Sequence, residues 1–228
     1  MRKLYNLLLP KYVRLPLLLV VLFNMFVYFA PSRLLVLDVP PYDLSVALDA
    51  LLPSVPFFLL FYVLAFVQWV GSYIHHSRDS VQVCYRIAMA DIVAKVICLI
   101  CFVCIPTQIT RPEIVGDGVF EWGTRFMYLI DEPVNLFPSI HCIESWLCFR
   151  GAMMLQKKNG WYIAAQGILA VLVFASTVLI KQQFVLDILA GIVVCEIGLF
   201  LAGRCGLWSV YNKVQTPSAK MWLKEHNR

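Results

Sequence analysis

Two apolar runs, WYIAAQGILAVLVFASTVLI at Trp161–Ile180 and FVLDILAGIVVCEIGLFLA at Phe184–Ala202, are parted only by Lys181-Gln182-Gln183. Each is close to the roughly 20 residues that an α-helix needs to cross a hydrocarbon core. Asp187 and Glu196 are their only charged side chains. They are therefore read as membrane spans, with the polar link lying at one face. Working outward from this pair, the same reading gives spans at Tyr12–Ala30, Val55–Ile74, Ile87–Ile105 and Ile140–Leu155. Pro53, Pro56, Pro106, Pro138, Gly160 and Gly203 punctuate the boundaries. The span at 140–155 is the shortest and most polar, carrying Glu144 and Arg150.

Composition points the same way. Of 228 residues, 61% are hydrophobic and 14% charged, where a soluble domain carries about a quarter charged residues. The expected fold is all-α: one integral membrane bundle of six transmembrane helices, residues 1–228 forming a single domain. The run Leu17–Ala30 lacks a small-residue cleavage site and continues into Pro31-Ser32-Arg33, so it is read as a retained span rather than a signal peptide.

Six spans sort the charges. Arg2, Lys3, Lys11, Arg14, Arg78, Arg86, Arg150, Lys157, Lys158, Arg204, Lys213, Lys220, Lys224 and Arg228 fall on one side. The other receives Arg33, Arg111, Arg125 and Lys181 with eight acids: Asp38, Asp43, Asp49, Glu113, Asp117, Glu121, Asp131 and Glu132. Because basic residues stay on the cytoplasmic side, both termini are expected there. The net charge of +5 forms no basic stripe or stacking platform, so nucleic acid is not an expected partner. Cys98, Cys101, Cys104, Cys142, Cys148 and Cys195 lie inside apolar runs without matching histidines. They suit helix packing better than a metal site, and neither metal nor cofactor is expected.

Charges within spans are costly, so each needs an account. Asp91 and Lys95, four apart, share one helical face and form a structural pair. Glu196 has no local partner and is a candidate to meet that pair in a transport relay. His75 and His76 are expected among the headgroups.

Three polar clusters remain, all expected on the non-cytoplasmic side. They are Thr107–Pro112 after the third span, Asn135–His141 at the entrance of the fourth, and Lys181–Asp187 at the entrance of the sixth. Pro138 and Ser139 suit a helix start, where backbone amides and the helix dipole attract anions. Arg111 and Lys181 add cations, and His141 lies within the first turn. A helix N-terminus, two cations, a serine and a histidine describe a phosphate site.

The segment Asn135-Leu136-Phe137-Pro138-Ser139-Ile140-His141 resembles the Pro-Ser-x-His motif of the type 2 phosphatidic acid phosphatase superfamily. In style it is closest to the inositol phosphorylceramide synthase-like branch. Arg111-Pro112 resembles the end of the superfamily's first motif, and Ser176 through Asp187 the third in spacing. The resemblance implies an integral-membrane lipid phosphatase or phosphotransferase, independent of metal, acting on a phosphorylated lipid at the outer face. It implies that His141 is the general acid, that Arg111 and Ser139 hold phosphate, and that Asp187 orients the nucleophile. Three positions depart from it. The first-motif lysine falls on Cys104, and the third-motif arginine on Thr177, whose charge Lys181 can replace. The nucleophilic histidine falls on Gln183, whose amide nitrogen is no nucleophile because its lone pair is delocalised. Gln183 is either an inactivating replacement or the mark of a non-catalytic lipid-phosphate binder. Lipid identity and oligomeric state are not set by the sequence.

Overall fold

A computed structural model describes residues 10–33 and 40–215. Of the charges that set the expected orientation, Arg2, Lys3, Asp38, Lys220, Lys224 and Arg228 lie outside them. The described residues form nine α-helices: α1 Lys11–Arg33, α2 Ala47–Leu51, α3 Leu59–Asp79, α4 Val81–Cys104, α5 Val119–Ile130, α6 Ile140–Met154, α7 Gly160–Leu179, α8 Val185–Arg204 and α9 Val210–Val214. Two short 3-10 turns, Pro56–Phe58 and Leu207–Ser209, precede α3 and α9. No β-strand occurs among the described residues, and five helices, α1, α3, α4, α7 and α8, are long and apolar enough to cross a membrane.

Local chemistry fixes the helix starts. The Ser80 hydroxyl accepts from Val83 N at 3.2 Å to open α4. Asn159 Oδ1 accepts from Trp161 N at 3.0 Å and Tyr162 N at 3.3 Å to open α7. At α6 the Ser139 hydroxyl accepts from Cys142 N at 3.3 Å. Each satisfies amides that a helix start otherwise leaves orphaned.

At the centre α4 packs on α8 and α1, while α6 is enclosed by α3, α4, α7 and α8. Small residues allow the closest approach, as expected where backbones must meet in a bilayer. A Cβ on Gly198 would come within 2.5 Å of the Ala90 carbonyl, and one on Gly191 within 2.9 Å of the Ser139 carbonyl. These contacts draw α8 against α4 and against the start of α6.

The 15 residues of α6 rise about 22 Å at 1.5 Å each, less than the roughly 30 Å core of a bilayer. Its polar residues Glu144 and Ser145 are buried against protein. Glu144 accepts from Lys95 Nζ at 2.5 Å and from the Tyr73 hydroxyl at 3.0 Å, and Ser145 accepts from Trp69 Nε1 at 3.0 Å. Asp91 is the second partner of Lys95, at 2.9 Å. The third member of the buried cluster is thus Glu144, and the expectation for Glu196 is corrected. Glu196 instead accepts from Trp146 Nε1 at 2.7 Å and pairs with Arg150 at 3.4 Å. His76, near the end of α3, faces protein. It is buried and its Nε2 is 3.0 Å from the Tyr162 hydroxyl.

Helix α5 was not anticipated by the apolar runs. It is amphipathic, and Val119, Trp122, Phe126, Leu129 and Ile130 stand exposed along it. Phe120 packs edge-on against Phe57, with centroids 5.2 Å apart. Such a helix suits the interfacial plane of a membrane, and it lies beside the segment that carries Arg111.

Candidate functional site

The chain leaving α4 begins the site. The Thr107 hydroxyl accepts from Leu136 N at 2.8 Å and Phe137 N at 3.2 Å, and its carbonyl accepts from Asn135 N at 3.0 Å. Asn135 sits at φ 57°, a left-handed conformation that asparagine tolerates better than most residues. The first polar cluster is thereby stitched to the second.

The second cluster is tied to the third through backbone. Ser139 N donates to the Asp187 carbonyl at 3.1 Å. Asp187 Oδ2 accepts from Phe184 N at 2.7 Å, so this carboxylate caps the start of α8. With its amide nitrogen facing the acceptors, Gln183 donates to Asp187 Oδ2 at 3.2 Å and to the Leu136 carbonyl at 2.8 Å. Gln183 occupies the place where the resemblance expects a nucleophile, and it is spent joining the entrances of α6 and α8.

Arg111 closes the triangle. Its Nη2 donates to Gln182 Oε1, and its Nη1 donates to the Asp131 carbonyl at 2.6 Å and the Tyr128 carbonyl at 3.3 Å. The guanidinium lies 4.7 Å from the Tyr128 ring centroid, a cation–π contact. Burial pulls the Arg111 pKa below its usual value, yet a guanidinium remains charged at any physiological pH. Asp131, read from sequence only as an outer-side charge, lies 4.0 Å from Arg111 and accepts from the hydroxyls of Tyr28 at 2.6 Å and Tyr62 at 3.4 Å.

His141 faces α3. Its ring stacks on Tyr62, with centroids 4.2 Å apart, and is flanked by Trp69 at 5.1 Å and Phe66 at 5.7 Å. A chain of contacts therefore runs from Arg111 through Asp131 and Tyr62 to His141. Four buried polar atoms here have no protein partner: Arg111 Nε, His141 Nε2, Gln182 Nε2 and Asp187 Oδ1.

Lys181 behaves differently from expectation. In a left-handed conformation at φ 53°, it sends its ammonium to the Asp49 and Leu52 carbonyls at 3.0 and 2.6 Å. Two of its three donors thus hold the end of α2, leaving one for a ligand. Asp49 completes this strap: its carboxylate accepts from Val185 N at 2.9 Å and from Val46 N at 2.8 Å. Beneath the strap is an open cavity of about 720 Å³, bordered by Ser45, Asp49, Thr110, Arg111, Lys181 and Gln183. Ser139, His141 and Asp187 do not line it.

All six residues predicted for the site therefore sit at one end of the bundle, Arg111, Lys181 and Gln183 along the cavity and the others behind. Tyr62, Asp131, Gln182 and Asp49 join them without having been singled out. Chemically the arrangement offers cationic and amide donors to an anion, while Gln183 provides no nucleophile. No protein-family model, curated protein or solved structure matches the chain.

Proposed function

We propose that the chain is a six-span membrane protein of the type 2 phosphatidic acid phosphatase plan that binds the phosphate of a phosphorylated lipid at the joined entrances of α6 and α8. In this account α6, fourth in chain order, completes the six spans and is enclosed by the others so that Glu144 and Ser145 do not meet lipid. The basic residues Arg78, Arg86, Arg150 and Arg204 face the cytoplasm, and the phosphate site lies on the opposite side.

One observation carries the proposal. The three polar clusters are bonded to one another through Thr107, Ser139–Asp187 and Arg111–Gln182, and they enclose two buried donors, Arg111 Nε and Gln182 Nε2, that no protein group satisfies. Buried donors without partners are unfavourable by about 1–3 kcal/mol each, so a ligand rich in acceptor oxygens suits them. Phosphate is such a ligand, and the N-terminus of α6 adds its dipole.

With glutamine at position 183 the site binds without turning over. The histidine-based transfer implied by the resemblance needs an imidazole nitrogen to attack phosphorus while His141 gives a proton to the departing lipid alkoxide. Gln183 cannot form that phosphorus–nitrogen bond. The transport alternative has less support, because Lys95 is enclosed by Asp91 and Glu144 and Glu196 is engaged elsewhere.

The test is retention of radiolabelled glycerolipid, sphingolipid and isoprenoid phosphates by purified protein in detergent. Saturable binding of at least one without phosphate release is expected. Absence of binding to all three classes, or rapid release of phosphate, contradicts the proposal.

A further inference from the structure

At the opposite end of the bundle a second cavity, of about 390 Å³, opens between the start of α4 and the ends of α6 and α8. Arg86, Arg150 and Arg204 converge on it, with Glu196, Gln82 and Trp208. Three guanidiniums against one carboxylate leave two positive charges in excess. Glu196 is already committed to Arg150 Nε and Trp146 Nε1. Among the described residues neither Arg86 nor Arg204 is paired with a carboxylate. Arg86 Nε is buried without a hydrogen-bond partner. Gly203 makes room for this arginine, since a Cβ there would come within 2.6 Å of its Nη2.

We propose that this cavity is a second site, which takes the phosphate headgroup of an anionic phospholipid from the adjoining leaflet. Guanidinium forks match phosphate oxygens in charge and geometry, and basic pockets between membrane helices are suited to such headgroups. The surroundings favour a lipid over a free ion. Phe200 and Leu199 border the cavity, and Phe200 is exposed on the bundle surface, giving the acyl chains an apolar exit. Half-buried Trp208 also borders the cavity, and tryptophan is a residue enriched at membrane–water interfaces. The carbonyl end of α8 is mildly unfavourable to an anion, and Arg204 in its last turn offsets it.

The experiment is native mass spectrometry of the full chain released from micelles doped with phosphatidylglycerol or phosphatidylcholine, with inorganic phosphate as a separate arm. Wild type should retain phosphatidylglycerol at least tenfold more than phosphatidylcholine, with no competition from millimolar phosphate. The double variant Arg86→Gln, Arg204→Gln should lose that preference. The exposed pair Lys157→Gln, Lys158→Gln removes the same charge and should keep it. If the double variant does not fold, the single exposed variant Arg204→Gln is used and should lower retention severalfold. Equal retention by the arginine and lysine variants overturns the proposal, as does no lipid preference or displacement of the lipid by inorganic phosphate.

Discussion

The Tyr62 ring lies flat on the His141 imidazole, with planes 21° apart, while its hydroxyl reaches Asp131. Tyr62 therefore couples the histidine of the second cluster to the carboxylate that faces Arg111. The stack, rather than the 3.4 Å hydroxyl contact, is the stronger link. Tyr62→Phe should cost less than about 1 kcal/mol of stability, whereas Tyr62→Ala should cost about 3–5 kcal/mol, the range for buried aromatic truncation. Thermal unfolding in detergent measures both. Equal losses would mean that the hydroxyl dominates.

Arg111 and Lys181 are the two cations that border the cavity. A hydrogen bond to a charged group contributes about 1.5–3 kcal/mol, so Arg111→Ala should weaken vanadate binding by roughly tenfold or more. Lys157→Ala, at an exposed position of the opposite end, should leave it unchanged. A titration giving the same affinity for both variants removes Arg111 from the site.

Lys181 separates structural from ligand-binding cations. Its two carbonyl bonds clamp the end of α2 over the cavity. Lys181→Met should lower the unfolding temperature and weaken vanadate binding less than Arg111→Ala does. A larger affinity loss at Lys181 than at Arg111 would reverse their assignments.

The cluster of Lys95, Asp91 and Glu144 is enclosed within the bundle. Removing the ammonium leaves two buried carboxylates facing each other, and breaking such a group costs about 3–5 kcal/mol. Lys95→Met should therefore unfold markedly earlier. The triple variant Lys95→Met, Asp91→Asn, Glu144→Gln should recover much of that loss. No recovery would show that the charges themselves, rather than their mutual compensation, are needed.

Much of this architecture was legible in the sequence because lipid solvation demands long apolar runs. The five helices that length and composition mark as able to cross overlap five of the six expected spans. The fourth expected span is a helix, but its 15 residues are too few to cross by length, and its Glu144 and Ser145 face protein partners. Ends were misplaced where polar residues continue a helix. His75, His76 and Arg78 belong to α3, and Arg86 to α4. Helix α5 escaped notice because its exposed apolar face is interrupted by Glu121 and Arg125, leaving no continuous run.

Within the site, motif spacing led to Arg111, Ser139, His141, Gln183 and Asp187. It offered no route to Tyr62, which sits unmarked in an apolar span. Asp49 looked like one outer charge among eight, and its role emerges only where α2 meets the start of α8. Lys181 shows the converse: its charge was apparent, but the carbonyls that claim it lie more than a hundred residues away.

The most direct measurement is phosphate release from radiolabelled lipid phosphates by the purified Gln183→His protein, compared with wild type and with Gln183→His carrying His141→Ala. A lipid-phosphate site lacking only its nucleophile predicts no turnover by wild type, measurable release by the single variant, and loss of that release when His141 is also removed. No release by a folded Gln183→His protein that also fails to bind any lipid phosphate would contradict the account.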